Sequence, residues 1–166
     1  LPQNRERVFV VSIRKDIDHG YLFPKPIVLE TRLRDILELE QELDYTYYLT
    51  EQNIKSYITK EGDFGERLNI KNLYKKNPNC LIAKSCKSVI TNNFILDIHG
   101  VRGLTERECF KLQGFNPNYV KTLKESGISS NQIYQMIGNS IAVPVLECIL
   151  ENLLIRKEHT KQLRMI

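Results

Sequence analysis

The chain has 166 residues, of which 42% are hydrophobic and 27% charged, and its formal net charge is +4. This composition excludes wholesale disorder, and the length allows one domain, or one small domain with part of another. The slight positive charge permits an acidic partner without requiring one. The four cysteines have no CxxC spacing, so the sequence predicts neither a metal site nor a disulfide framework. We recognise no signal peptide and no apolar run of membrane-spanning length, and expect no membrane partner.

The first predicted element is a strand over the apolar run Val8 to Ile13. The run is continuous rather than alternating, which is typical of a strand buried on both faces in an α/β sheet. Few good partner strands follow, so either the partners lie elsewhere or the run is misread. Because the chain starts at Leu1 rather than Met and reaches this strand almost at once, we expect a piece of something longer.

From Thr31 to Leu43, leucines and isoleucines recur at helical spacing with acidic residues between them. This pattern predicts a helix. Thr50 is then placed to cap a second, short helix, and Gly62 to Gly65 read as a turn.

The segment from Ile70 to Leu96 is the most asymmetric in charge, with five lysines, five asparagines and no acidic residue. Its short apolar pieces, at 81–83 and 89–90, predict small strands joined by polar loops. Lysines suit phosphates, and asparagines can contact base edges with both ends of the amide. The segment therefore indicates a nucleic-acid surface, although a solvated face has the same composition.

A clear helix start follows at Thr105, because Thr105 and Glu108 have the spacing of a capping box and Leu104 and Cys109 that of a hydrophobic staple. Gly114 is expected to end this helix. Residues 121–127 are predicted as a loop or a weak helix.

The last predicted feature is a Gly-Asn-Ser turn at Gly138 to Ser140 that leads into an apolar helix. Asn139 or Ser140 is expected to cap that helix, and Pro144 lies in its first turn, where a missing N–H costs least. Its apolar residues recur at helical spacing, at Val143, Leu146, Ile149, Leu150, Leu153 and Leu154.

Three separated blocks together resemble motifs eight, nine and ten of the DNA (cytosine-5)-methyltransferases, in the family's order. Gln3 to Phe9 resembles the Q-x-R-x-R block. Arg102 to Phe115 resembles the R-x-L-T-x-R-E…L-Q-G-F block, and Gln135 to Val145 resembles the final G-N-S-x-x-V-P-V block. The match is closest to the bacterial modification enzymes, and the Lys/Asn-rich segment lies where that family keeps its target-recognition region.

The resemblance implies a mixed α/β fold that is a fragment of a two-lobed enzyme. Residues 1–34 and 132–166 would belong to the large lobe that binds S-adenosylmethionine, as a strand and a helix. Residues 35–131 would form a small, loop-rich, mostly β target-recognition domain. The implied partners are double-stranded DNA and the N-terminal catalytic part of the same enzyme, in the same chain or as a separate subunit, in the bacterial cytoplasm.

The resemblance also implies roles for individual residues. Arg7 would hold the ring oxygen of a flipped-out cytosine, with Arg5 supporting the site and the DNA backbone. Asn139, Ser140 and Val143 would contribute to the S-adenosylmethionine pocket. The expected DNA contacts are Gln3, Lys84, Lys87, Asn92 and Asn93. The Thr105 to Phe115 block would be a brace between the lobes.

Three family motifs are missing from this sequence, namely the glycine-rich cofactor loop, the Pro-Cys nucleophile and the Glu-Asn-Val acid motif. None of the four cysteines follows a proline. The chain alone is therefore expected to be inactive.

Three alternatives stay open at the sequence level. The chain could be a non-catalytic DNA-binding relic or regulatory subunit of the family, or a tRNA-directed relative that uses the same chemistry. From another class, it could be a small basic protein that binds RNA or a protein through the Lys/Asn-rich segment.

Overall fold

A computed structural model describes residues 1–18, 20–28, 30–39, 43–55, 80–81 and 93–163, with side chains as far as residue 154. Two 3-10 turns, Leu33–Asp35 and Tyr45–Tyr47, come first, and residues 51–55 are helical. An antiparallel pair of strands follows, β1 (Ile95–Asp97) and β2 (Gly100–Arg102). The helices after it are α1 (Glu106–Gln113), α2 (Tyr119–Glu125), α3 (Ser130–Asn139) and α4 (Val143–Leu163). The mixed α/β class predicted from the sequence is confirmed.

The start and end of α1 agree with the sequence prediction. Thr105 Oγ1 accepts from the backbone N–H of Glu108 at 3.1 Å, and Glu108 Oε2 accepts from the N–H of Thr105 at 2.8 Å. Leu104 and Cys109 are both buried in the same core cluster. Gly114 ends the helix in the left-handed region, at φ +85°, where a glycine has no Cβ penalty.

One hydrophobic core joins the three helices α1, α2 and α3 to earlier parts of the chain. Its buried members come from both sides of the predicted boundaries at 34/35 and 131/132. They are Leu33, Ile36, Leu81, Ile95, Leu104, Cys109, Phe110, Leu112, Val120, Ile133 and Ile137. The core therefore positions the ends of α1 and α3, which carry the residues of the candidate site.

The predicted helix from Thr31 to Leu43 is wrong, because within the described residues 31–39 the structure has only the 3-10 turn Leu33–Asp35. Leu33 and Ile36 are buried as the apolar pattern indicates. The backbone N–H of Glu38 donates to Glu108 Oε1 at 2.9 Å instead of to a helical carbonyl. A long-range contact has replaced the local helix, as tertiary packing commonly does.

The predicted buried strand from Val8 to Ile13 is also not found. Val8 and Val10 are 92% and 83% exposed, and no described strand pairs with this segment. A strand buried on both faces needs a neighbour on each side, and within the described residues this segment has none.

Two other local predictions have different outcomes. Thr50 caps the helical residues 51–55, since its Oγ1 accepts from the N–H of Asn53 at 3.2 Å, as predicted. The segment 121–127 was predicted as a loop or a weak helix, and it belongs mostly to the α-helix α2, so the helical alternative is the one found. The predicted turn at 62–65 and strand at 89–90 lie outside the described residues, as does most of the strand at 81–83.

The Gly-Asn-Ser segment is not the cap of the last helix. Gly138 and Asn139 form the last turn of α3, and Ser140 follows as its C-terminal cap. The first carbonyl of α4 is that of Ala142, which accepts from the N–H groups of Val145 and Leu146 at 3.2 and 3.3 Å. Three residues separate the two helices, and the prediction had placed the boundary too early.

Pro144 does lie in the first turn of α4, but the apolar side of this helix is largely exposed. Ile149 is buried, whereas Leu150 and Leu154 are 46% and 58% exposed. The stretch Ser130–Leu154 is long and apolar enough to cross a membrane by length and composition, which corrects the expectation that no run reaches that length. Length and composition do not assign it to a membrane, because residues 140–142 interrupt the helix and α3 contributes to the core.

Candidate functional site

The N-terminal segment and residues 138–141, at the end of α3, meet at one cavity of about 400 Å³. One wall comes from the N-terminal segment and the other from the end of α3 and the residue after its cap. The lining residues are Arg5, Arg7, Val8, Phe9, Gly138, Asn139, Ser140 and Ile141. The structure therefore brings together the arginines and the Asn-Ser pair that the sequence singles out, although more than 130 residues separate them.

Arg5 holds the two walls together through its guanidinium group. Its Nη2 donates to the carbonyl oxygens of Gly138 at 3.1 Å and Ser140 at 2.5 Å, and its Nη1 donates to that of Leu81 at 2.7 Å. The planar, permanently charged fork suits several acceptors at once. The Nη1 and Nη2 groups of Arg5 thus donate inside the protein, and the bonds to Gly138 and Ser140 fix the backbone on either side of Asn139.

Arg7 is exposed and lines the cavity. Its Nη1 donates to the carbonyl of Glu6 at 2.6 Å, and its Nη2 lies 3.6 Å from Cys80 Sγ. These contacts hold the guanidinium beside the cavity while leaving other N–H groups for a ligand. A fixed cation in this position can stabilise negative charge that develops on a bound molecule.

Asn139 and Ser140 form the opposite wall. Asn139 is exposed, and Ser140 is half-buried, with its Oγ donating to the Ile137 carbonyl at 2.7 Å. An amide that can both donate and accept suits the hydroxyl and amino groups of a nucleoside. Val143 is not among the residues that line this cavity and lies instead beside the turn at Gly114.

The block around α1 is a buried polar network that sequence reasoning missed. Arg102 is 1% exposed, and its Nη1 and Nη2 donate to the two carboxylate oxygens of Glu108 at 2.9 and 3.0 Å. Its Nε donates to Asp97 Oδ2 at 3.1 Å. Burial alone would lower the pKa of Arg102, but the paired carboxylates, Glu108 first, raise it above its ordinary value. The sequence places Arg102 at the start of the motif-nine block and Glu108 in the capping box, but nothing in local spacing indicates that the two side chains pair.

Glu106 extends the network toward α2 and the 3-10 turn at Tyr45–Tyr47. Its Oε2 accepts from the Tyr47 hydroxyl at 2.6 Å, and its Oε1 lies 3.0 Å from Lys124 Nζ. Burial opposes ionisation of Glu106, yet hydrogen bonds from Ser130 and Tyr47 bring its pKa below the ordinary value. Burial, and then the bond to Glu106, raise the pKa of Tyr47. Each of these charged groups already has partners within the block, which indicates a structural role.

The structure describes only two of the five residues that the sequence analysis expects to contact DNA. Lys84, Lys87 and Asn92 lie outside the described residues. Asn93 is buried, and the Gln3 amide points inward, where its Nε2 donates to the Leu112 carbonyl at 2.5 Å. Because these last two side chains are directed into the protein, we do not retain them as DNA contacts.

Comparison with known proteins adds independent findings. Residues 1–154 match the family described as C-5 cytosine-specific DNA methylase. The chain is 30% identical over 163 residues to the Type II methyltransferase M.Bsp6I of Bacillus sp. (strain RFL6), covering 92% of this chain and 50% of the relative. It is 32% identical over 172 residues to the Type II methyltransferase M.DsaV of Dactylococcopsis salina, covering 98% of this chain and 46% of the relative. The chain thus spans about half the length of the curated relatives it matches.

Two solved structures resemble the fold. The methyltransferase EhMeth of Entamoeba histolytica matches with a TM-score of 0.56 and 18% identity, over 83% of this chain and 43% of that one. The Dnmt2 methyltransferase of S. pombe matches with a TM-score of 0.57 and 22% identity, over 79% of this chain and 43% of that one. At these identities the likeness describes the fold alone.

Proposed function

Since this chain belongs to the C-5 cytosine-specific DNA methylase family, we propose that it supplies target recognition and one side of the active site of a DNA (cytosine-5)-methyltransferase. The observation that carries the proposal is the shared cavity, which Arg5 and Arg7 line from the N-terminal segment and Asn139 and Ser140 from the end of α3. The relatives named Type II methyltransferases support a bacterial restriction-modification enzyme that acts on DNA in the cytoplasm.

The nucleophile would come from residues outside this sequence, because none of its four cysteines follows a proline. A cytosine inside the duplex is unreachable, so the target base is flipped out into the site. A cysteine thiolate then adds to the ring and activates the neighbouring carbon toward methyl transfer. S-adenosylmethionine, when bound, supplies the methyl group.

Arg7 would act on the ring in this reaction. Negative charge develops on the pyrimidine as the thiolate adds, and a guanidinium held at the ring oxygen stabilises that charge. Its fixed position beside the cavity, through Glu6 and Cys80, supports this role. Arg5 would be the positioning residue, since its Nη2 is already committed to the backbone carbonyls of Gly138 and Ser140 in the opposite wall.

Asn139 and Ser140 would form part of the S-adenosylmethionine pocket. Their amide and hydroxyl groups fit the polar groups of a nucleoside, and the end of α3 presents them at the cavity. Val143, which does not line the cavity, would add an apolar wall to that pocket. Lys84, Lys87 and Asn92 remain the proposed DNA contacts, on the basis of the basic, Asn-rich sequence around them.

The direct test uses this chain assembled with the catalytic region that carries the Pro-Cys motif. We expect methyl transfer from labelled S-adenosylmethionine to carbon 5 of cytosine in duplex DNA, and none from this chain alone. Transfer to tRNA but not to DNA would replace the substrate in the proposal, and DNA binding without any transfer would favour a non-catalytic relic.

Replacing Arg7 with alanine sharpens the test. Loss of a charge-stabilising group should lower kcat by about 10²–10³-fold, with a much smaller change in DNA affinity. The matched control is Arg14→Ala, which removes an exposed arginine paired with Asp16 on the surface and should leave kcat within about twofold, since such pairs contribute little. An equal loss of kcat and DNA affinity in Arg7→Ala would make Arg7 a DNA-positioning contact instead.

A further inference from the structure

The side chain of Gln113 lies between the two walls of the cavity without lining it. It is the last residue of α1 and is 0% exposed. Its Nε2 donates to the carbonyl of Ile137, in α3, at 3.3 Å. Its Oε1 accepts from Gln3 Nε2, in the N-terminal segment, at 3.3 Å. One buried amide therefore contacts both segments that form the candidate site.

These contacts lie directly behind the residues that face the cavity. The carbonyl of Ile137 also accepts from the backbone N–H of Ser140 at 3.1 Å and from its hydroxyl at 2.7 Å. On the other wall, Arg5 follows Gln3 by two residues and returns to the carbonyls of Gly138 and Ser140. The hydrogen bonds thus close a loop from Gln3 through Gln113 and α3 to Arg5.

The side chain of Gln113 is not needed to end its own helix. Gly114 does that, through its N–H to the carbonyl of Lys111 and the N–H of Phe115 to that of Phe110, both at 3.0 Å. A buried amide is costly to leave without partners, and both ends of this one have partners only while the two walls keep their relative position. A shift of either wall breaks one of the two bonds.

We infer that Gln113 is a positioning residue for methyl transfer, which holds the Arg5–Arg7 segment in register with Asn139 and Ser140. The inference rests on the proposed function of the cavity. The motif-nine block would then contribute to the reaction as well as to stability. Its ion pairs stabilise the fold, whereas Gln113 places the two segments that line the cavity.

The test compares Gln113→Leu, which keeps the approximate volume but removes both bonds, with Gln132→Ala. Gln132 is an exposed glutamine whose side chain accepts from the N–H of Ser129 at 2.9 Å in the capping box of α3. Gln132 stabilises α3, the helix that Gln113 contacts, and among the described residues it makes no hydrogen bond with the N-terminal segment. In the complete enzyme, Gln113→Leu should lower kcat/KM for S-adenosylmethionine about tenfold, with kcat and KM both affected, whereas Gln132→Ala should lower Tm and leave both constants unchanged.

A double-mutant cycle separates positioning from loss of stability. If Gln3 and Gln113 act as one unit, the double variant Gln3→Leu/Gln113→Leu should lose about tenfold, as each single variant does, rather than the roughly hundredfold of two independent losses. The combination of Gln3→Leu with Gln132→Ala should show no such coupling. Independent losses from Gln3 and Gln113, or a lower Tm in Gln113→Leu with unchanged kinetic constants, would overturn the inference.

Hydrogen exchange keeps this inference distinct from the proposed function. If the wild-type complete enzyme transfers no methyl group, the proposed function fails, but backbone exchange in the same assembled protein still reports on the contact. Gln113→Leu should then accelerate exchange in both residues 3–7 and residues 138–142. Unchanged exchange in either segment would show that Gln113 does not hold the walls together.

Discussion

Polar side chains are buried and paired in the block around α1, but are partly exposed at the cavity between the N-terminal segment and the end of α3. In the block, Arg102, Glu108 and Thr105 are at most 1% exposed, and each is bonded to another member of the block. At the cavity, Arg7 and Asn139 are exposed. Of the described residues that line it, Arg5 has a buried Nε without a hydrogen-bond partner. The polar groups of the block hydrogen-bond to one another, whereas the exposed Arg7 and Asn139 side chains at the cavity can contact a ligand.

The apolar residues of the two regions differ in the same sense. Leu112 and Ile133, at the centre of the block, are completely buried. Leu150 and Leu154 on α4, which continues from the cavity, are about half exposed. An exposed apolar face beside an incomplete polar site is typical of a surface that meets a partner. The comparison teaches that the block around α1 is a buried stabilising centre, whereas the cavity and the outer face of α4 present their side chains to solvent.

The largest expected effect is the loss of the buried ion pair in the block. Glu108→Ala should lower the free energy of unfolding by about 3–5 kcal/mol, because it leaves much of the buried Arg102 charge uncompensated and removes the capping box. The control Glu125→Ala breaks an exposed pair with Lys121, which is worth less than about 1 kcal/mol. Urea unfolding measures both changes. Equal effects would mean that the block is not the stabilising centre.

A smaller effect is expected where the block touches the start of α4. Gly114 and Gly127 both have φ near +80°, so alanine strains the backbone by about 1 kcal/mol at either position. At Gly114 the added Cβ would also lie 2.5 Å from Pro144 Cδ, whereas at Gly127 it would meet open space. Gly114→Ala should therefore cost roughly 1–3 kcal/mol more than Gly127→Ala in thermal unfolding, as overpacking does. Equal costs would show that Pro144 can move away freely.

The smallest effect on stability is expected on the exposed face of α4. Leu150→Ala should change the free energy of unfolding of this chain by less than about 1 kcal/mol, since surface substitutions have small effects. Ile149→Ala, at the neighbouring buried position, should cost about 2–5 kcal/mol. If the face meets the catalytic region, Leu150→Ala should instead weaken assembly with it, measured by titration. A loss of stability equal to that of Ile149→Ala would show that the face is already packed.

Three local sequence patterns were predicted correctly, whereas a fourth, the Gly-Asn-Ser segment, was assigned to the wrong helix end. The capping box at Thr105, the stop at Gly114 and the cap at Thr50 each involve residues at most five positions apart, and the structure confirms them. The family was recognised for a related reason, because its motifs are short strings of residues that can be read in order.

Only the tertiary structure decided the features that depend on distant contacts. The N–H of Glu38 donates to Glu108 rather than to a helical carbonyl, and the pairing of Arg102 with Asp97 and Glu108 requires β1 and α1 to pack together. The sequence by itself determined which family the chain belongs to and where its clearest helix begins and ends. That the N-terminal segment faces residues 138–141 across one cavity followed only from the folded core, since long-range hydrogen bonds carry no signature in local spacing.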